Sequence, residues 1–299
     1  MKIGMSLSSS IQGETPQAGA EWIIERAQAA DRVGLDSLSL GDHHAMASSY
    51  YQNTPMLGRL MAEWGDRPIG CLFLLPLWHP VLVAEHIGTL ASLTRAPFIV
   101  QTGIGFGEGQ FAALNADHGT RGRVLEESVR VVKAVLAGEP VESDLVGGPV
   151  EIGLRPAQTV EWWIGGGPSS KAIRRAARIG DAWYASPAVD VASARTQLGV
   201  YLEHCEAFDR VPRALVRKDV VVLEAPGEGR RVGAEIVEAG YRGLGPEALL
   251  MGSPEEVAAQ LRPLSDAGFS EVICRCMSSD QAQAVETIEL LAEVRDLLD

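Results

Sequence analysis

The apolar positions of this 299-residue chain gather into short runs, with longer segments of helical period between them. The runs lie near residues 3–8, 36–41, 68–75, 97–104, 161–166, 181–186, 217–223 and 270–276. Each has the length and the near-continuous apolar character of a strand buried on both faces, as in parallel sheets. Between them, Ile23, Ala27, Ala30 and Val33 recur at the spacing of one buried helix face, and Val83, Ile87, Leu90 and Leu93 repeat it. Thr15-Pro16 reads as a cap and first-turn pair for the first of these helices, with Gly34 as its stop, and His79-Pro80 opens the second. Arg121 to Ala137, Asp190 to Phe208 and Asp280 to Leu298 predict three more. Ser253-Pro254-Glu255-Glu256 is a capping box with proline at the first helical position.

Eight strands, each followed by a helix, predict an α/β fold: one (β/α)8 barrel spanning residues 1–299 as a single domain. A doubly wound sheet also alternates but seldom needs eight units. Residues 106–120 and 139–160, rich in glycine, proline and charge, break the repeat and are expected to be loop insertions at the carboxyl-end rim. Residues 224–252 are expected to hold a short helix and a further loop.

Charge narrows the partners. A formal charge of −13 argues against nucleic acid or an anionic membrane as a main partner. The apolar stretches are too short or too interrupted by charge to span a bilayer. Met1-Lys2-Ile3-Gly4-Met5 lacks the apolar core of a signal peptide, so a cytoplasmic protein is expected. Cys71, Cys205, Cys274 and Cys276 form no CxxC and no zinc spacing. They read as buried reduced thiols, and no metal site is expected.

Four segments carry candidate chemistry, all at predicted strand ends. Asp42-His43-His44 closes the second strand. Two adjacent histidines cannot point the same way there, so one is expected to face the mouth and the other to pack behind. Histidine exchanges protons near neutral pH, and Asp42 could orient it. A turn-capping acid beside partly buried imidazoles explains the same residues equally well. Leu74-Leu75-Pro76-Leu77-Trp78-His79-Pro80 offers Trp78 as a flat stacking face, or else as a cover for a helix end. Gly103-Ile104-Gly105-Phe106-Gly107 permits close backbone approach to a ligand, but it is not a dinucleotide fingerprint. Ile164-Gly165-Gly166-Gly167-Pro168-Ser169-Ser170-Lys171 opens a helix with bare backbone N–H groups and two hydroxyls. That favours a phosphate cradle over a simple cap, since capping alone needs one serine and not three glycines. Together these segments suggest a phosphorylated, planar cofactor without saying which.

The same segments, in the same order, resemble the bacterial luciferase-like monooxygenase superfamily, which includes FMN-dependent monooxygenases and coenzyme F420-dependent reductases and dehydrogenases. The resemblance is carried by Ala29 to Leu38 with Gly41-Asp42-His43-His44, by Leu75-Pro76-Leu77-Trp78-His79-Pro80-Val81 with Ala84-Glu85, and by Thr89 to Leu93 with Gly103-Ile104-Gly105. Arg121 with Glu126 to Leu136, Ile164-Gly165-Gly166, Gly180-Asp181-Ala182-Trp183 and Gly252 to Val257 complete it. It implies a TIM barrel with reduced FMN or F420 across its carboxyl-end rim. It implies cofactor contacts at Cys71, Leu72, Gly103, Gly105, Gly165, Gly166, Gly167, Ser169 and Ser170, with a cis peptide between Cys71 and Leu72. It gives His43 the proton-transfer role with Asp42 beside it, and a largely apolar substrate pocket from Met46, Tyr50, Tyr51, Trp78, Phe106 and Trp183.

Some positions depart from that pattern. Gly103 stands where some luciferases carry a reactive cysteine, Phe106 where several F420 enzymes carry an acid, and Gln110-Phe111 where a Glu-Phe pair is usual. The implied activity is oxygenation of a small organic substrate with reduced FMN from a separate flavin reductase, or hydride transfer with F420. A homodimer is expected, since family members pair through early helices. Two other classes fit the residues less well: a non-catalytic flavin-binding protein, and a metal-dependent TIM-barrel hydrolase using Asp42, His43, His44 and His79. The second lacks the His-x-His of a first strand, where Ser6-Leu7-Ser8 stands.

Overall fold

A computed structural model describes residues 1–298. It begins with β1 (Lys2–Leu7), α1 (Pro16–Arg32), β2 (Ser37–Leu40), α2 (Asn53–Leu60), β3 (Ile69–Phe73), α3 (Pro80–Ala91) and β4 (Phe98–Thr102). It continues with α4 (Glu108–Ala113), α5 (Arg121–Ala137), β5 (Val160–Gly166), α6 (Ser170–Ile179), β6 (Ala182–Ala185), α7 (Val191–Ala207) and β7 (Ala214–Val222). The last elements are α8 (Glu228–Glu238), β8 (Leu250–Gly252), α9 (Pro254–Ala267), β9 (Glu271–Cys276) and α10 (Gln281–Asp296). All strand pairs are parallel. β1 to β7 run side by side in order, and β9 pairs with both β7 and β1, which closes an eight-stranded barrel. Helices pack around it, so the architecture is the expected TIM barrel.

The local signals explain where elements start and stop. Thr15 accepts the Ala18 N–H at 3.2 Å with Pro16 following, and Gly34 takes a positive φ of 66° just past α1. Ser253 and Glu256 form the reciprocal capping box that starts α9. Three elements exceed the expectation. α4 folds inside the segment read as loop, and β8 adds a ninth strand on β7 alone, pairing Val220 to Val222 with Leu250 to Gly252. The helix α2 gave no periodic signal either; it is eight residues long, carries Pro55 near its start and has no side-chain cap.

Strand alternation sorts side chains into two layers. Ile3, Met5, Leu38, Leu40, Phe98, Val100, Trp162, Trp183 and Val216 face the helices in the main core. Ile99, Trp163, Ala182, Tyr184, Leu215 and Ile273 meet inside the barrel and plug it. Chemistry is therefore confined to the space above this plug.

Candidate active site

At the carboxyl ends of the strands a cavity of about 390 Å³ opens, lined by Ser6, Ser9, Asp42, His43, Met46, Tyr50, Leu72, Arg217, Arg242 and Arg275 among others. The size is that of a small-ligand site. The two adjacent histidines divide as their alternation requires. His43 faces the cavity, its ring centroid 5.9 Å from that of Tyr50. His44 turns behind it onto Trp78, at 5.4 Å.

Asp42 does not orient His43. Its Oδ2 accepts the Leu74 backbone N–H and the Trp78 Nε1–H, each at 2.8 Å. Its Oδ1 lies 3.2 Å from His44 Nε2, an approach without hydrogen-bond geometry. The carboxylate thus ties the exit of β2 to the exit of β3. The expectation for Trp78 changes with it: edge-on to Phe73, His44 and His86 and bonded to Asp42, it braces the loop and does not line the cavity.

Electrostatics set the protonation states. Burial, reinforced by the neighbouring His44 and opposed by Asp42, holds the His43 imidazole below its ordinary pKa. It is therefore neutral at pH 7 and free to accept a proton. Burial and Asp42 push the Tyr50 hydroxyl up to about 12, so it stays protonated.

Other expected site residues are placed elsewhere. Trp183 is fully buried on the helix side of β6, against Tyr201 and Phe269, because its position alternates with the inward Ala182 and Tyr184. Phe106 is 92% exposed and touches no part of the cavity. Tyr51 bonds the Pro16 carbonyl at the start of α1. Cys71 packs in the main core, where burial raises its thiol pKa; only Leu72 of that pair reaches the cavity. The peptide between them is trans, the isomer favoured by about 3 kcal/mol for a non-proline residue. Asn53, at the start of α2, donates to the Leu72 carbonyl at 2.6 Å.

The glycine segment after β5 has a partly structural explanation. A Cβ on Gly165 would lie 2.3 Å from the Thr102 carbonyl oxygen, and one on Gly166 would lie 2.7 Å from Trp183 Nε1. Packing alone demands glycine at both. Gly167 has nothing within 4 Å. Ser169 caps α6 by accepting the Ala172 N–H at 3.2 Å, and Ser170 begins the helix. Gly103 faces Leu74, and Gly105 takes a positive φ of 76°. None of these residues lines the His43 cavity.

The sequence reading missed a charged group at the other side of the mouth. Arg217 donates to Asp219 Oδ1 through Nε at 3.1 Å and Nη2 at 2.8 Å. Tyr241 and Arg242 donate to Asp219 Oδ2 at 2.9 and 2.8 Å. Arg275 of β9 lies beside them and donates to Ser8 Oγ at 3.0 Å. The available signal was a run of three charges, Arg217-Lys218-Asp219, inside an otherwise apolar strand; alternation from the inward Leu215 puts Arg217 and Asp219 inside the barrel and Lys218 outside it. Among the described residues no three His, Cys, Asp or Glu side chains converge as metal ligands, so Asp42, His43, His44 and His79 do not form the hydrolase site considered as an alternative. Among the same residues no helix is long and apolar enough to cross a membrane.

Comparison with known proteins agrees with this architecture. The luciferase-like monooxygenase family profile matches residues 1–228. The chain is 24% identical to an F420-dependent glucose-6-phosphate dehydrogenase of Kribbella flavida, over 93% of this chain and 94% of that protein. A stretch covering 36% of this chain and 28% of the relative is 29% identical to a 3,6-diketocamphane 1,6-monooxygenase of Pseudomonas putida. Among solved structures, the oxygenating constituent of 3,6-diketocamphane monooxygenase from Pseudomonas putida, in complex with FMN, superposes with a TM-score of 0.84 at 18% identity, covering 98% and 97% of the two chains. An F420-dependent secondary alcohol dehydrogenase, in complex with an F420–acetone adduct, superposes with a TM-score of 0.83 at 15% identity, covering 100% and 99%. With its profile matched over most of its length and its barrel intact, the chain belongs to the luciferase-like monooxygenase family.

Proposed function

We propose that the chain is an oxidoreductase that acts on a small organic substrate beside bound reduced FMN or coenzyme F420, with His43 as its proton-transfer group. The observation that carries this reading is a neutral imidazole facing a cavity at the carboxyl-end rim of a family barrel. The relatives are named as an F420-dependent dehydrogenase and as monooxygenases, which supports an enzyme with either cofactor.

The rim fits such a group. Gln101 Nε2, on the inward face of β4 and in register with the cavity-lining Leu72, is buried without a hydrogen-bond partner. An unpaired buried polar atom is costly, and the polar edge of a ring would satisfy it. Leu72, Gly103, Gly105, Gly167, Ser169 and Ser170 would hold the cofactor. Bound, it supplies hydride transfer (F420) or oxygen activation (FMN). His43 takes or returns the coupled proton at its ring nitrogen. Tyr50 offers a neutral hydroxyl beside it, and Met46 and Leu72 present apolar surface that excludes water.

With FMN, the same reading includes a separate flavin reductase. A homodimer is supported by the exposed leucines Leu82 and Leu93 on and just after α3. A cytoplasmic setting is supported by four buried, unpaired cysteines.

Titration of the purified protein with oxidised FMN, reduced FMN and F420, followed by ring absorbance and fluorescence, tests the proposal. Preferential F420 binding makes it a hydride-transfer enzyme, and binding of reduced FMN makes it an oxygen-using one. Binding of none of them overturns the cofactor assignment.

A further inference from the structure

The end of the cavity away from the glycine segment is unusually cationic. Arg217, Arg242 and Arg275 all line it. Asp219 is the carboxylate that pairs with Arg217 and Arg242, and both its oxygens are already engaged. The other cavity carboxylate, Asp42, holds Leu74 and Trp78 through Oδ2 and turns Oδ1 to His44, 3.2 Å away. Arg275 therefore makes no direct ion pair with a carboxylate and feels Asp219 only through space. Its Nη2 meets only Ser8 Oγ, and its Nε is buried with no partner at all. This surplus of positive charge stands in a chain whose overall charge is −13.

Arg242 completes the cluster. Its backbone sits in the left-handed region, at φ 49° and ψ 16°, which a side chain-bearing residue adopts only when its surroundings hold it there. The Asp219 ion pair holds it, and in doing so keeps a third guanidinium on the cavity wall.

We propose that this arginine cluster seats an oxyanion carried by the substrate (a carboxylate, phosphate or sulfonate), with Arg275 donating through its unpartnered Nε and Arg217 and Arg242 completing the charge. Planar guanidiniums are the side chains suited to such groups, since they donate in fixed pairs. The seat shares one cavity with His43, so an anion held there places the rest of a small substrate beside the imidazole. The cofactor's own phosphate is the other source of the same chemistry. The glycine and serine segment that would take it lies on β5 and α6 and contributes nothing to this cavity. Burial, with Arg217 beside it, lowers the proton affinity of Arg275, and an incoming anion reverses that effect.

The inference rests on the cofactor reading only in treating the anion as the substrate's, and inorganic phosphate as a probe separates the two. Phosphate binding is measured by calorimetry on the full chain, alone and saturated with FMN, for the wild type, Arg275→Gln and Arg242→Gln. Unfolding midpoints are recorded for each; should Arg275→Gln fail to fold, Arg242→Gln, on a half-exposed side chain, carries the test. The expected result is a phosphate site that persists in the FMN complex and weakens at least tenfold in the variants. Equal phosphate binding by wild type and variants overturns the proposal. So does loss of the site on adding FMN, together with weaker FMN binding in the variants, which would make the cluster the cofactor's phosphate seat. Arginine-dependent phosphate binding with no binding of FMN or F420 supports the anion seat while removing the cofactor reading.

Discussion

Replacing Asp219 with asparagine should destabilise the protein by about 3–5 kcal/mol, the cost of removing one partner from a buried ion pair. The carboxylate has no exposed side-chain area and accepts four donors: two from Arg217, one from Tyr241 and one from Arg242. An asparagine can accept on one side only. Its amide nitrogen must then face either the Arg217 guanidinium or the Tyr241 and Arg242 donors, donor against donor. Losing the charge also leaves three guanidiniums around the mouth with no carboxylate among them. Arg242 would no longer be held in a left-handed conformation that costs roughly 1–2 kcal/mol, so its loop should relax. At roughly 2–4 °C per kcal/mol for a chain of this size, Tm should fall by about 6–20 °C.

Urea and thermal unfolding, followed by far-ultraviolet circular dichroism in phosphate-free buffer, give both numbers. The pH dependence has a defined sign. Burial raises the Asp219 pKa, but Arg217, Arg275 and Arg242 outweigh it and hold the carboxyl below its usual range. Its contribution is therefore complete above about pH 4 and lost as pH falls through the lower, folded-state value. The gap between wild type and variant should be constant from pH 6 to 8 and close in acid. A loss below about 1 kcal/mol at neutral pH would refute the reasoning, because the guanidiniums would then be stable without their carboxylate.

Other substitutions separate the remaining roles. His43→Asn should lower kcat/KM by about 10²–10⁴-fold, with little change in cofactor affinity. It should also abolish an acid limb that, in the wild type, falls away below the ordinary histidine pKa; an unchanged pH profile would remove His43 from proton transfer. Asp42→Ala leaves the Leu74 N–H and the Trp78 indole N–H unpaired and should cost about 3 kcal/mol in denaturant unfolding, with Asp42→Asn costing less. Gly165→Ala drives a Cβ into the Thr102 carbonyl and should destabilise by more than about 2 kcal/mol. Gly167→Ala, in open space, should leave stability within about 0.5 kcal/mol while weakening FMN or F420 binding, and the opposite ordering would show that Gly167 is the packing residue. Lys218 is 1% exposed, with Nζ on the Val189 and Ala248 carbonyls, and burial draws its pKa down to about 8. The unfolded chain holds that proton more tightly, so stability should rise by about 1–2 kcal/mol between pH 8 and 9.5, a gain absent in Lys218→Met.

The barrel was legible because its repeat is written in apolar runs, and α5 spans Arg121–Ala137, as its heptad of Leu125, Val129 and Val132 suggests. What the runs conceal is parity. Trp183 and Tyr184 are both large, aromatic and buried, and only the register of β6 against β5 and β7 shows that Tyr184 points into the barrel and Trp183 away from it. The same ambiguity misplaced Asp42, whose position at a strand end was read correctly but whose side chain turns towards β3. Arg217, Asp219 and Arg275 escaped notice because they come from two strands far apart in sequence. Their meeting is a property of closure between β7 and β9.

That closure also decides which part of the molecule is free to change. β7 is already paired to β9 over Leu215 to Val220, so the ring of strands is complete before β8 joins it. The excursion from Leu223 to Gly252 hangs from the upper end of β7 and packs its Leu223, Val232 and Leu249 in a small apolar cluster with Val221 of β7 and Met277 just after β9. Lengthening, shortening or exchanging it would reshape the mouth through Tyr241 and Arg242 without unfastening the cylinder below. The family profile ends at residue 228, where α8 begins. If the proposed roles hold, selectivity for the substrate can diverge in a swappable appendage while His43, on the first half of the chain, stays fixed.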